Sequence, residues 1–409
     1  MEVFLADLKA QAELNPTVRI YPSASLYMGS ILFLQLVPLA LLAVILVGFT
    51  LSSWKFPTHK TSLGPWNTTD HGLKVESLVI YPIKSCRGME LEVAQADKNG
   101  FAHDRRFMIV SGKGKFQTQR QLPKMATIVP TLHFKDADAG AIAANVPVSL
   151  TLEARGGKSI TINVSGNGSA PSGACKLASD IPPTAGVRLS VHIWREDVLN
   201  AVDQGPEVAA WLSQVLGEEG LRLVYMDKHC TRSLQHEHGK YGEPAPVTKA
   251  EPTTTTSFAD MYPFLVTSTA SLRDLNALLS EKHAQEHNLK MNRFRGNIIV
   301  DGPLQPWEED TWGAFSIGPM RFHGVKRCVR CTIPTNDQMT GNKAPRRGDQ
   351  AAEPLATLQE QRTGAKKNEG CFGLNAIHEY EAGDVEGRTL RVGDSVIVHR
   401  TTAIGPIVR

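Results

Sequence analysis

From Val75 onward the chain repeats one unit, a short run rich in β-branched and aromatic residues followed by a turn built on Gly, Pro or Asn. Val75-Glu76-Ser77-Leu78-Val79-Ile80-Tyr81 alternates and is stopped by Pro82. Residues 89–96 follow, then the Asn99-Gly100 turn, 107–110, the Gly112/Gly114 turn, 115–119, 129–134, 148–153 and 159–164. Short strands at this spacing close into barrels or curled sheets, whereas a βαβ array needs a helical pattern between its strands. The expected fold class is α+β and β-rich.

The pattern resumes after a Gly/Ser/Ala/Pro-rich loop at 166–186, with strands expected at 191–194, 221–226, 262–267, 298–300 and 315–325 and a closing pair around 389–396. Two helices interrupt it. The first, 206–216, places Val208, Trp211, Leu212 and Val215 on one face; the second, 272–283, turns Leu275, Leu278 and Leu279 inward behind Ser271 as N-cap. The polar stretch 229–257 carries His229, His236 and His238 but no ligand-spaced carboxylate or cysteine set, so it reads as a solvated loop. The charged stretch 344–369 reads as a helical or mobile insertion.

No charged residue lies between Arg19 and Lys55, and the apolar heart of this run, Ile31 to Leu51, is 21 residues. As a helix it measures about 31 Å, the thickness of a bilayer's hydrocarbon core. Acidic residues at Glu2, Asp7 and Glu13 argue against a cleaved leader or presequence. The expectation is one transmembrane anchor at 26–53 after a polar segment 1–25, with a tether at 54–73. Lys55 and Lys60 beside its C-terminal end favour a cytosolic body. A net charge of +3 gives no basis for a nucleic-acid partner, and six scattered cysteines do not make a disulfide scaffold.

The chemistry concentrates at Arg327-Cys328-Val329-Arg330-Cys331-Thr332, a basic segment that follows the strand expected at 315–325. Thiols among cations favour the thiolate, the form that attacks or binds metal. A zinc site would need a second ligand pair where only Cys371 is at hand, and Pro334 argues against the helix that a redox pair requires. Two half-buried thiols of no special role, or a soft ligand for a heavy transition metal, remain as readings, with Cys328 and Cys331 equal candidates. Three cationic clusters, Lys84/Arg87, Arg105/Arg106 and Arg293/Arg295, stand at the ends of apolar strands, where they suit an anionic, phosphate-bearing ligand.

These residues resemble the MOSC family, named for the C-terminal domain of molybdenum cofactor sulfurases, and within it the membrane-anchored mitochondrial amidoxime-reducing components. The resemblance rests on Tyr81-Pro82-Ile83-Lys84-Ser85-Cys86-Arg87-Gly88, Asp104-Arg105-Arg106-Phe107, Phe294-Arg295-Gly296-Asn297, Arg330-Cys331-Thr332 with Asp337 and Gly341, and Phe372-Gly373. It implies an N-terminal MOSC β-barrel domain at 74–228, a polar loop at 229–258, a C-terminal MOSC β-barrel domain at 259–400 and a tail at 401–409. It also implies a molybdenum cofactor (molybdenum–molybdopterin) bound between the two domains. On this pattern Cys331 is the molybdenum ligand and catalytic residue, and Cys328 and Cys86 are supporting cysteines. Lys84, Ser85, Arg105, Arg295, Asn297, Arg330 and Asn375 contact the cofactor, with Arg330 beside the metal ligand. Asn375 stands where relatives carry tyrosine, and Met261 and Tyr262 replace small hydroxyl residues, so a contact there would come from backbone.

The implied activity is reduction of N-hydroxylated substrates, amidoximes and hydroxylamines, with electrons from NADH through NADH-cytochrome b5 reductase and cytochrome b5. The implied location is the mitochondrial outer membrane, or else the endoplasmic reticulum. The rival is a cofactor or sulfur carrier with a persulfide on Cys331. Pyridoxal phosphate binding enters only as a family-level association, because the residues before Val75 leave no room for a sulfurase domain.

Overall fold

The computed structural model describes residues 69–134, 147–164, 175–176, 184–234, 251–252, 255–346, 348, 350–364, 366, 368–380 and 388–401. The anchor expected at 26–53 lies outside them. Among the described residues no helix is long and apolar enough to cross a membrane.

The chain is β-rich with few helices. Its strands are β1 (Lys74–Ile80), β2 (Met89–Leu91), β3 (Val93–Asp97), β4 (Gly100–Phe101), β5 (Phe107–Val110), β6 (Val129–His133), β7 (Ser149–Glu153), β8 (Ser159–Asn163), β9 (Cys175–Lys176), β10 (Arg188–Ile193), β11 (Glu196–Asp203) and β12 (Arg222–Tyr225). They continue as β13 (Glu251–Pro252), β14 (Phe264–Ser268), β15 (Ile298–Asp301), β16 (Trp312–Ile317), β17 (Met320–Arg330), β18 (Gly370–Tyr380), β19 (Thr389–Arg391) and β20 (Val396–Thr401). Helices α1 (Pro206–Leu216), α2 (Thr269–His283) and α3 (Leu355–Gln361) complete the frame.

The largest sheet runs β2-β1-β15-β14-β18-β17-β16-β20. It curls until its ends meet: Lys74 bridges Ser395, and Val396 N donates to Leu73 O at 2.9 Å. The first strand of the body is thus a stave of the C-terminal barrel, antiparallel to β15 with Leu78 opposite Ile298. Leu73, Val75, Leu78, Ile80, Ala94, Ala96 and Phe101 bury themselves with Phe264, Val300, Phe315 and Phe322. A separate core gathers Ile83, Cys86, Phe107, Leu150, Leu212 and Leu223 around the sheet β5-β12-β11-β10-β9 and the β6-β7-β8 meander. Among the described residues the chain passes into the second core at 80–83, back at 86–89 and in again at 101–107, and from a third core that holds Phe258 it returns to the first at 258–264.

The local signals explain most elements. Pro206 begins α1, and Gly217 in the left-handed region ends it. The second helix starts earlier than expected. Its N-cap is Ser268, whose hydroxyl accepts from Ser271 N at 3.1 Å, while Ser271 lies inside the first turn and donates to Glu309. The run 315–325 is a hairpin of β16 and β17, and β17 continues to Arg330. Cys328 is therefore on a strand and Cys331 is the first residue past it, whereas the strand was expected to end at Val325. Gly324 permits this pairing, since a Cβ there would stand 1.9 Å from Trp312 O. The eight-residue β11 was not anticipated, because Glu196, Asp197, Asn200 and Asp203 dilute its apolar alternation.

Truncating Leu78 to Ala should cost about 2–5 kcal/mol in urea denaturation. If β1 belongs to the C-terminal barrel, amide exchange will accelerate in β14 and β15 and leave the β6–β8 meander protected; the reverse pattern would contradict the shared sheet.

Candidate cofactor cavity between the two cores

All eight residues named for the site, Lys84, Ser85, Arg105, Arg295, Asn297, Arg330, Cys331 and Asn375, line one cavity of about 170 Å³. Cys328, Met261 and Tyr262 line it too. The cavity sits where the chain crosses between the cores. Lys84 and Ser85 lie between the crossings at 80–83 and 86–89, Arg105 lies on that at 101–107, and Ala259 to Tyr262 on that at 258–264. Backbone bonds lace these crossings together: Lys84 N donates to Phe107 O at 2.8 Å, Arg105 N to Tyr81 O at 2.8 Å, and Phe258 N to Arg105 O at 3.0 Å.

Three lining residues adopt left-handed backbone, Ser85 at φ 66°, Arg105 at 51° and Arg295 at 58°. Each such non-glycine residue costs on the order of 1 kcal/mol and persists where its surroundings over-determine it. Gly296 shows the constraint between Arg295 and Asn297: a Cβ there would meet Thr267 Oγ1 at 2.7 Å.

Tyr81 organises the cations. The guanidinium carbons of Arg295 and Arg105 lie 4.1 Å and 4.8 Å from its ring centroid, and its hydroxyl donates to Gly296 O at 3.2 Å. Cation–π contact lowers the cost of holding two like charges together. Arg105 also pairs with Asp104 and donates to Asn297 Oδ1 at 3.2 Å and Arg295 O at 3.3 Å. Asn297 in turn accepts from Leu265 N at 3.3 Å and donates to Val79 O at 3.1 Å. Its amide is engaged in joining strands, so it holds Arg105 in place rather than presenting a free group.

Each cationic cluster is split. Lys84, Arg105 and Arg295 face the cavity. Their neighbours turn away: Arg106 pairs with Asp97, Arg293 with Asp337 at 3.2 Å, and Arg87 contacts Met339 Sδ at 2.9 Å. Lys84 is buried and reaches Asp260 Oδ1 at 2.5 Å and Phe258 O at 2.8 Å. Burial outweighs the Asp260 charge and lowers its pKa to about 8. Burial likewise lowers Arg295 to about 10.

The thiols differ in surroundings. Arg330 Nη1 donates to Cys328 Sγ at 3.0 Å, and its Nη2 to Phe294 O at 2.7 Å. Cys331 Sγ instead accepts from Ile333 N at 3.5 Å. The cation expected beside Cys331 therefore contacts Cys328. Cys86 and Cys371 are buried away from water, and that burial pushes them up to about 12 and about 11, as unreactive thiols.

This lining fits a phosphate-bearing, metal-carrying cofactor on two counts. Arg295 and Arg330 meet no carboxylate among the described residues, and Arg295 Nη2 and Arg330 Nε are buried without a hydrogen-bond partner. Such donors await an anionic acceptor. Among the described residues no three His, Cys, Asp or Glu side chains are placed to hold a metal ion. A metal held here by these thiols would draw its remaining ligands from a carrier. Sequence reasoning overlooked Tyr81 and Asp260, although Tyr81 stood in the first motif; what was missing was the spatial meeting of Arg105 with Arg295.

The depressed Lys84 pKa has a thermodynamic signature. Below about pH 8 both folded and unfolded states hold the proton and the buried charge is a penalty. Between about 8 and 10.4 the unfolded chain binds more protons, so stability rises with pH by up to about 1.4 kcal/mol per unit. Relative to Lys84→Met, wild type should gain stability from pH 7.5 to 9.5 in urea titrations; a constant difference would place the lysine in water.

Comparison with known proteins agrees with this architecture. The model of the MOSC N-terminal beta barrel domain matches residues 72–219, and that of the MOSC domain matches 253–397. The chain is 28% identical to mitochondrial amidoxime-reducing component 1 of Mus musculus over 79% of its length and 81% of that protein's. The Homo sapiens protein of the same name is 27% identical, over 79% and 82%. Molybdenum cofactor sulfurase 2 of Culex quinquefasciatus is 27% identical over 75% of this chain but only 34% of that protein. With both models matched in order over well above half of its residues, the chain belongs to the MOSC family.

Proposed function

We propose that this chain is a molybdenum-cofactor-dependent oxidoreductase that removes oxygen from N-hydroxylated substrates such as amidoximes and hydroxylamines. The observation that carries the reading is the meeting, in one cavity, of an accessible thiol pair with buried arginine donors that lack anionic partners. When bound, the cofactor would supply two-electron reduction at its metal. Breaking the N–O bond takes up two electrons and two protons and releases water.

Arg295 and Arg330 would hold the anionic part of the cofactor, with Lys84 adding a third positive charge from the opposite wall. Arg105 and Asn297 position Arg295 through its carbonyl and through the strands they join. Ser85 offers its hydroxyl from a left-handed corner, and Asn375 faces the cavity from β18. Cys331 is assigned as the metal ligand. The assignment follows the family pattern carried by Arg330-Cys331-Thr332, and it leaves Cys328 as the thiol that accepts from the Arg330 guanidinium.

Relatives named amidoxime-reducing components are covered over about four fifths of their length, and a sulfurase relative over a third, which favours reductase over sulfur carrier. Electrons would come from NADH through NADH-cytochrome b5 reductase and cytochrome b5. The uncharged run 20–54 would confine the enzyme to the membrane that carries these donors, the mitochondrial outer membrane by this proposal, and shared confinement raises encounter rates.

Protein expressed with ample cofactor is expected to contain molybdenum and pterin in equal amounts and to reduce benzamidoxime. Cys331→Ala should abolish the reduction, whereas Cys328→Ala should lower it roughly tenfold. The reverse ranking would move the ligand to Cys328, and absence of both metal and pterin would sink the reading. A persulfide on Cys331 without any reduction would favour the carrier.

A further inference from the structure

Trp194 is the first residue of the two-residue turn that joins β10 to β11, where Ile193 pairs with Glu196. It holds φ 56°, a conformation that bulky side chains avoid, and it is 52% exposed. An aromatic residue set against both preferences calls for a use. Its indole Nε1 donates to Asp260 Oδ1 at 3.3 Å, and Asp260 is the partner of Lys84, so the ring stands at the rim of the cofactor cavity.

Two side chains pack against the indole. The Arg120 guanidinium lies 4.5 Å from the ring centroid and Phe116 packs at 5.2 Å. Arg120 is fixed by its Nε donating to Thr118 Oγ1 at 3.1 Å, which leaves Nη2 without a partner among the described residues. The rest of the indole borders a shallow cleft of about 380 Å³ shared with Lys113, Lys115 and Arg195, all exposed. The carboxylate lining that cleft, Asp197, is bound to His192, so the cleft presents net positive charge. A rigid aromatic surface with surrounding cations binds a flat ring that carries negative charge.

We propose that Trp194 and its cations form a substrate-recognition subsite at the mouth of the cavity, for N-hydroxylated groups carried on a planar ring with an anionic substituent. This rests on the reductase reading for the nature of the reacting group. The ring stacks on the indole, the anionic substituent faces Lys113, Lys115 and Arg195, and the N–O end points past Asp260 into the cavity. Trp194 and the cations are specificity-determining rather than catalytic.

The test uses the cofactor-loaded full chain without electron donor, so that binding is measured apart from turnover. Dissociation constants for 4-carboxybenzamidoxime, benzamidoxime and acetamidoxime are determined by calorimetry. Wild type should bind them in that order of affinity. Trp194→Ala should weaken both aryl compounds roughly tenfold and leave acetamidoxime unchanged, and Trp194→Phe should restore most of the loss. Lys113→Gln with Lys115→Gln should weaken only the carboxylated compound, and the difference should vanish at high salt, where exposed charges are screened.

Equal weakening of all three ligands, or none, overturns the proposal. So does an unchanged affinity accompanied by a higher KM for the electron-donor protein, which would make the hairpin a docking surface. If the binding pattern holds while no compound is reduced on adding donor, the subsite stands and the reductase reading falls.

Discussion

Val79 and Asn297 exchange two bonds, Val79 N to Asn297 O at 2.9 Å and Asn297 Nδ2 to Val79 O at 3.1 Å, and the rest of the site depends on this exchange. It seats the first strand of the body in the C-terminal sheet. It also turns the Asn297 Oδ1 toward Arg105 and Leu265. An asparagine is suited to the task because its amide both donates and accepts without carrying charge. An aspartate would add a buried anion and lose the donor to Val79, and a serine would not span the same partners. The motif Phe294-Arg295-Gly296-Asn297 is in this sense one device: an arginine to face the cavity, a glycine that fits against Thr267, and an amide that fastens both to β1.

The electrostatics of the cavity are unfinished in the protein alone. Lys84 has Asp260 and Arg105 has Asp104, but Arg295 and Arg330 rely on backbone carbonyls and aromatic rings. Burial lowers the pKa of Arg295 because the charge is held in place without a counter-charge. Such an arrangement is costly unless a ligand completes it, and any anion that binds the folded state stabilises it in proportion. The left-handed corners at Ser85, Arg105 and Arg295 point the same way, since strain gathers where the fold is shaped for a ligand.

Much of this was legible in the sequence for local reasons. Alternation and turn residues located most strands, Pro206 and Gly217 bounded α1, and strand-end placement identified Lys84, Arg105 and Arg295 as candidates. What escaped depends on distance in the chain. That β1 pairs with β15 is decided by a barrel closing over more than two hundred residues, which no local pattern records. Tyr81 reads as an ordinary strand-end aromatic until two arginines from separate segments meet over it. The extension of β17 through Cys328 was hidden by the density of cations, which usually marks a loop. Trp194 gave a false strand signal at a position that is a turn, because an aromatic residue after β-branched neighbours reads as strand while its backbone holds φ 56°. Ser271 was taken for a cap because it precedes the apolar periodicity, whereas the helix begins one buried turn earlier, against Glu309.

The passages of the chain between its cores carry a mechanical consequence. Enzymes that admit ligands by swinging domains apart pivot on one or two connecting segments, and the remaining surfaces separate. Here the passages at 80–83, 101–107 and 258–264 are tied to one another by backbone hydrogen bonds beside the cavity. A rigid-body swing would have to break those bonds at the walls of the site itself. The cavity is consequently braced by the backbone on these sides. Any ligand of this cavity passes the side chains around its opening.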